Sequence, residues 1–305
     1  MKLLVKGIGQ LVTVSEGQLY LAGDDMANVK VRDGCLAVAV DNDGRIAMVG
    51  SQKEVTERFN EKTFCRVIDA GGNAVMPGLV DGHTHPVWAG DRVHEFAMKL
   101  AGATYMEVHA AGGGIHFTVE RTREASEAEL VELLVPRLWR MLRAGTTTVE
   151  CKSGYGLDTE TELKMLRVLE AAKKIVPIEI SSTFCGAHAV PRGSDMETAT
   201  MDVINNQLPA VIKMVEEGQL EVDNIDVFCE KGVFELEQSR RILEAGKKAG
   251  LRINFHGDEL HPLGGAEMGA QLKAEAISHL EEVYIKRVGK NDNDMICCLR
   301  LVRMV

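Results

Sequence analysis

Two histidines one residue apart, His83 and His85, are the residues whose types and spacing most directly suggest chemistry. They follow an apolar run from Ala74 to Val80 that favours a strand. In an extended strand, residues two apart point to the same side, so both imidazoles can face one divalent metal ion. His-x-His pairs also occur as solvated surface residues, but the strand and the glycines around this pair favour a metal site.

Other polar residues also follow apolar runs that are predicted strands. The carboxyl ends of the strands of a (β/α) barrel form its catalytic face, so these side chains would converge on one cup. A single histidine after a strand is more often a hydrogen-bonded loop residue than a ligand. The convergence of five strand ends is what predicts a site. Together with His83 and His85, the residues are Lys152 to Tyr155, His188, His256 with Glu259, and His279.

The elements that must position these residues change in character along the chain. Up to about residue 74, short strands and turns predict a small β domain, with a hairpin turn at residues 41–45. From residue 75 to 282, apolar strands alternate with helical segments, which is typical of a parallel sheet wrapped by helices. Residues 283–305 form a separate tail. The predicted strands are 75–80, 146–151, 178–185, 225–229, 251–255 and 274–278, and the predicted helices include 127–144, 159–175 and 235–249.

Composition limits the kinds of partner. The chain has 305 residues and a net charge of -10, which disfavours non-specific attraction to nucleic acid or to an anionic membrane. No apolar stretch reaches the roughly twenty residues of a membrane span. The seven cysteines are odd in number and mostly lie singly in apolar runs, as reduced thiols do in the cytosol. We therefore expect a soluble cytosolic protein that acts on a small molecule.

Four of the polar residues have a chemical and an ordinary interpretation. His256 is either a third nitrogen ligand or a cap on the following turn. Glu259 either moves protons between a metal-bound water and a leaving nitrogen or is a plain surface carboxylate. His279 either orients the attacking hydroxide or is a satisfied core histidine. Arg92 either pairs with a substrate carboxylate or is a solvated arginine.

The run from Pro77 to His85 resembles the first-strand signature of the amidohydrolase superfamily, which comprises metal-dependent hydrolases with a (β/α)8 barrel beside a small β-sandwich. Within that superfamily, the combined motifs are similar to members that open the cyclic amide of imidazolone propionate in histidine breakdown. The resemblance extends to about Glu282. The matching motifs are residues 85–92, 112–115, 150–157, 184–188 and 256–259.

The resemblance implies one divalent metal ion, zinc or iron, and a small-molecule substrate, without nucleic acid or membrane. The superfamily often forms dimers, so a homodimer is also expected. Each site residue takes its role from the matching family position. The implied metal ligands are His83, His85 and His256; the catalytic residues are Glu259 as general base and acid and His279; and the substrate-binding residues are Arg92, Tyr105, Tyr155 and His188.

The chain departs from the family after Glu282. The family has two further barrel strands, an aspartate ligand after the eighth, and C-terminal strands that complete the sandwich, none of which residues 283–305 resemble. Asp292 and Asp294 lie in a polar run and cannot be taken as the missing ligand. We therefore expect an incomplete barrel of six strands. Three functions stay open: a working hydrolase, a truncated non-catalytic form, and a related amidohydrolase or deaminase with another cyclic substrate.

Overall fold

The structure, a computed structural model, describes residues 1–13, 21, 23–102 and 113–282. It separates into two compact units, Met1–Gly78 and the chain from Leu79 onward. Tyr105 and the tail with Asp292 and Asp294 lie outside the described residues. Within the described ranges, no helix has the length and apolar character needed to cross a membrane.

The first unit is built on one five-stranded sheet. Its order is β3-β2-β1-β4, and β5 pairs with β1 beside this path. β1, β2 and β3 are antiparallel neighbours, which confirms the predicted hairpin turn at residues 41–45. The expected sandwich is thus represented by a single layer in the described residues. The strands are β1 Leu3–Thr13, β2 Lys30–Val40, β3 Ile46–Ser51, β4 Arg66–Asp69 and β5 Ala74–Val75, and helix α1 is Gln52–Arg58.

The second unit contains a sheet of six parallel strands in sequential order, from β6 at one edge to β11 at the other. This arrangement confirms the predicted incomplete barrel. Each connection between successive strands carries at least one helix. The strands are β6 Leu79–Thr84, β7 Thr146–Lys152, β8 Glu179–Ala187, β9 Asn224–Cys229, β10 Arg252–Gly257 and β11 Ala276–His279.

The helices of this unit follow the predicted pattern. Ser126 and Glu129 form a capping box at the start of α4, where each side chain satisfies a backbone N–H of the other residue. Leu130, Leu134 and Leu138 of α4 recur every four residues and are fully buried in the core. The helices are α2 Val93–Leu100, α3 Ile115–Glu124, α4 Glu127–Arg143, α5 Thr159–Lys173, α6 Met196–Asp202, α7 Leu208–Glu216, α8 Leu236–Lys248 and α9 Gly265–Leu272.

The predicted first barrel strand, residues 75–80, is wrong in its position. The apolar run divides at Pro77 and Gly78, so that Ala74–Val75 pairs with β1 while Leu79–Thr84 forms β6. Proline has no N–H to donate to a ladder, which explains why the pairing changes there. As a consequence, His83 lies within β6, and His85 follows its last residue.

The six-stranded sheet is curved enough for its two edges to meet at their carboxyl ends. β6 and β11 do not pair with each other, yet Ser278 Oγ of β11 lies 2.6 Å from His83 Nδ1 of β6. The buried core residues Val149, Phe184 and Phe255 lie on three of the strands between these edges. Residues from the first and the last strand therefore share one site.

Candidate active site

Three predicted metal ligands, His83, His85 and His256, lie together at the carboxyl ends of β6 and β10. One ligand nitrogen from each lies within 4.8 Å of the other two. The Nε2 atoms of His85 and His256 are 3.0 Å apart. Two nitrogens bound to one tetrahedral zinc ion lie about 3.3 Å apart. The donor set therefore fits a single divalent ion.

The lowered pKa values of His83 and His85 also fit metal binding. Burial, together with the positive charge of Lys152, lowers the pKa of His83 to about 3. Burial and the neighbouring His188 and His256 lower the pKa of His85 well below its ordinary value. Neutral imidazoles keep the lone pair that a metal ion requires.

Behind His256 lies a chain of buried charges. Its Nδ1 is 2.7 Å from Asp226 Oδ1, and Asp226 Oδ2 is 2.6 Å from Lys152 Nζ. Lys152 Nζ also donates to Glu150 Oε1 at 2.7 Å. Sequence reasoning gave no role to Asp226 or Glu150. Their signal is a carboxylate that follows an apolar residue within a buried strand, since a buried charge must find a partner.

Glu259 and His279 lie beside the three histidines and contact each other. His279 Nε2 is 3.4 Å from Glu259 Oε2, and the His279 ring lies 5.1 Å from the His83 ring and 5.3 Å from the His256 ring. The His279 backbone has a φ of 77°, in the left-handed region that non-glycine residues rarely adopt. Such backbone strain is found at functional sites, where the surrounding structure holds it in place.

Two carboxylates anchor the backbone on either side of Glu259. Asp258 accepts hydrogen bonds from four N–H groups at the start of α9. Glu230, at the end of β9, accepts from the N–H groups of Leu260 and His261 and contacts His261 Nδ1 at 2.8 Å. Glu259 is thus held between two fixed points. His261 is part of this anchor.

Tyr155 and His188 form a wall next to His85. The His188 ring stacks on the His85 ring at 4.3 Å and 9°, and its Nδ1 lies 2.9 Å from the Gly154 carbonyl oxygen. The Tyr155 ring lies 5.8 Å from His85 and 5.3 Å from His188. The fully buried Glu162 accepts from three N–H groups of this loop, including that of Gly154.

Arg92 is exposed and is paired within its own segment. Its Nε and Nη2 donate to one oxygen of Glu95, whose other oxygen accepts from the Gly114 N–H. Burial raises the pKa of Tyr155, and the positive charge of Arg92 opposes this rise, so Arg92 lies within electrostatic range of the phenol. The structure therefore brings seven of the predicted site residues together, whereas the hydrogen bonds of Arg92 are made within its own segment. The seven are His83, His85, Tyr155, His188, His256, Glu259 and His279.

Curated proteins resemble this chain closely. It is 58% identical over 286 residues to a probable imidazolonepropionase of Nematostella vectensis, covering 92% of this chain and 67% of that protein. It is also 58% identical over 282 residues to a probable imidazolonepropionase of Homo sapiens, covering 92% of this chain and 66% of that protein. The chain spans about two thirds of the length of these relatives. No family model matches it.

Solved structures share the fold at low sequence identity. A 5-methylcytosine deaminase of Klebsiella pneumoniae liganded with 5-fluorocytosine superposes with a TM-score of 0.58 at 14% identity, over 88% of this chain and 55% of that one. A mutant atrazine chlorohydrolase of Arthrobacter aurescens complexed with zinc and atraton superposes with a TM-score of 0.50 at 13% identity, over 88% of this chain and 55% of that one. These similarities confirm the predicted fold class, an amidohydrolase-type barrel with a separate sheet.

Proposed function

The chain belongs to the imidazolonepropionase family, and from this premise we propose that it hydrolyses the cyclic amide of 4-imidazolone-5-propanoate to N-formimino-L-glutamate. The observation that carries the proposal is the grouping of the three histidines His83, His85 and His256 with the Glu259–His279 pair. A metal-binding donor set beside a carboxylate–imidazole pair is suited to metal-assisted hydrolysis of a carbon–nitrogen bond.

The proposed cofactor is one divalent ion, zinc or iron, held by His83, His85 and His256. When bound, the ion would polarise the ring carbonyl and lower the pKa of water at the site. Zinc is the first metal to test, because three imidazoles are a typical catalytic zinc donor set. The zinc complex of the structurally similar chlorohydrolase supports the same choice.

Glu259 and His279 are the proposed catalytic residues. Glu259 would take the proton from the attacking water and pass it to the departing ring nitrogen. The His279 imidazole, 3.4 Å from Glu259, would hydrogen-bond the hydroxide or the oxyanion that forms at the ring carbonyl. Both side chains are partly exposed, which leaves them accessible to a small substrate.

Arg92, Tyr155 and His188 are the proposed substrate-binding residues. With Nε and Nη2 of Arg92 on Glu95, its Nη1 is available to bind the propionate of the substrate. Tyr155 and His188 would line the ring-binding wall beside His85. Tyr105 is kept as a further candidate on the family resemblance alone.

The proposed setting is the cytosol, with a homodimer as the expected assembly. The cysteines of the described ranges are free thiols, as is usual in a reducing compartment. The homodimer is carried over from the superfamily. Cell fractionation and the solution mass of the purified protein test the two proposals separately.

The decisive assay is ring opening of imidazolone propionate by the purified chain, loaded in turn with zinc and with iron. We expect turnover that disappears after chelation and returns with metal. His83→Ala and Glu259→Gln should each abolish most of it, and cytosine, as a competing cyclic substrate, should not be deaminated. Absence of turnover with both metals, or near-normal turnover in either variant, would overturn the proposal.

A further inference from the structure

The buried charges behind His256 come from three strands of the same sheet, two of which are separated by β8. Glu150 and Lys152 lie on β7, Asp226 on β9 and His256 on β10. The side chains of Lys152 and Asp226 have no exposed surface, so water does not compete for their contacts. Burial alone would lower the pKa of Lys152, but the carboxylates of Asp226 and Glu150 raise it above its ordinary value, and the lysine stays charged.

The contact between Asp226 and His256 determines the tautomer of the imidazole. An ionised carboxylate only accepts hydrogen bonds, so the 2.7 Å contact requires a proton on His256 Nδ1. In an imidazole that carries a single proton, placed on Nδ1, the lone pair lies on the other nitrogen. This nitrogen, Nε2, is the atom that lies 3.0 Å from His85 Nε2.

Lys152 determines how the Asp226 carboxylate is oriented. Its ammonium contacts Oδ2 at 2.6 Å, which leaves Oδ1 for the imidazole. A second contact to Glu150 at 2.7 Å holds the ammonium in place. The lysine therefore acts on His256 only through Asp226.

We propose that Asp226 and Lys152 are positioning residues that hold His256 in the tautomer whose Nε2 can bind a metal ion. This inference rests on the proposed function, since it assigns both residues to the metal site. A buried ion pair is seldom more stabilising than well-packed apolar side chains, so packing alone does not explain these charges. A carboxylate behind a metal-binding histidine is a recurring means of fixing its tautomer and orientation.

The first test is the tautomer of His256 in the metal-free protein, measured by nitrogen-15 NMR of histidine-labelled samples. A His256→Gln variant assigns the signal. We expect a neutral ring protonated at Nδ1. A ring protonated at Nε2 would overturn the proposal, and this measurement needs neither metal nor substrate.

The second test is zinc affinity, measured by competition with a chromogenic chelator. Asp226→Asn should weaken zinc binding about 10- to 100-fold. The matched control is Asp223→Asn. Asp223 immediately precedes the first residue of β9, at the end of the strand away from the histidines, so this variant should bind zinc like the parent. Lys152→Met should also weaken binding, whereas Lys173→Met, at the end of α5, should not.

Zinc affinity of Asp226→Asn within about twofold of the parent would contradict the positioning role. If that variant does not fold, the tautomer of the parent protein decides the question. Ring opening is measured separately on the parent protein. Its absence, with the predicted tautomer and affinities intact, would count against the proposed substrate and leave the positioning role standing.

Discussion

The two sides of the histidine cluster differ in burial and in how tightly their charges are held. On one side, the fully buried Lys152 and Asp226 are 2.6 Å apart, and each has a second charged or imidazole partner. On the other side, the side chains of Glu259 and His279 are about a quarter exposed and 3.4 Å apart. From this difference we propose a division of roles, in which the buried side holds the proposed metal ligands and the open side moves protons.

Removing a ligand between the two sides should have the largest effect. His256→Ala deletes one of three donors and leaves the buried Asp226 without its imidazole partner. We expect the variant to lose its zinc on dialysis and its turnover to fall by about 10⁴-fold, because the bound ion supplies several kcal/mol of transition-state stabilisation. The exposed His94→Ala on α2 is the control. One retained equivalent of zinc in His256→Ala would refute the assigned ligand.

A change on the open side should affect turnover without affecting the metal. Glu259→Gln keeps the size of the side chain but removes its ability to take a proton, so we expect kcat to fall about 10³-fold with unchanged zinc content. Glu267→Gln, on the exposed face of α9, should behave like the parent. If Glu259→Gln also lost zinc, Glu259 would have to be a metal ligand. The proposed separation between a side that holds the metal and a side that moves protons would then be wrong.

The anchor beside Glu259 should have a smaller effect on the same step. Glu230→Gln weakens the charge-assisted hydrogen bonds to the Leu260 and His261 N–H groups, which should misplace Glu259. We expect kcat to fall about tenfold while zinc affinity stays constant, because a small displacement of a catalytic group from its reacting position lowers the rate of the chemical step. The exposed Glu237→Gln on α8 serves for comparison. An unchanged kcat would mean that Glu259 is positioned without this anchor.

The smallest expected effect is on the pH dependence of stability. Burial lowers the pKa of His188 to about 3, whereas an unfolded histidine has a pKa of about 6.5. The unfolded state then binds more protons between these values, so stability is complete above pH 6.5 and falls as the pH drops toward 3. His188 contributes at most about 2 kcal/mol of this loss at pH 5.

Thermal melting of the metal-free protein from pH 7.5 to 5 measures this contribution. The decrease in melting temperature should be smaller in His188→Gln than in the parent. The exposed His94→Gln should show the parent's decrease. Equal decreases in all three proteins would show that folding does not change the pKa of His188.

The sequence predicted the alternation of strands and helices because apolar periodicity and capping residues are local signals. It placed the first barrel strand too early, since the apolar run continues through Pro77 without showing that its two halves join different sheets. The histidines were predicted because each comes at the end of an apolar run, and parallel strand ends share one edge.

The charged side behind His256 could not be predicted in the same way. Asp226 and Lys152 lie 74 positions apart, and their contact depends on the order and curvature of strands β7 to β10. The left-handed backbone at His279 also depends on tertiary contacts, because no local residue type requires it. The residues proposed to bind the metal or to transfer protons can thus be predicted from the sequence more readily than the buried residues that position them.

The most direct test is to measure zinc affinity and turnover together on Glu259→Gln and Asp226→Asn. We predict that Glu259→Gln binds zinc like the parent and loses about 10³-fold in kcat. Asp226→Asn should lose about 10- to 100-fold in zinc affinity and regain most of its turnover at saturating zinc. If both variants lose affinity and turnover in the same proportion, the two sides of the cluster do not have separate roles.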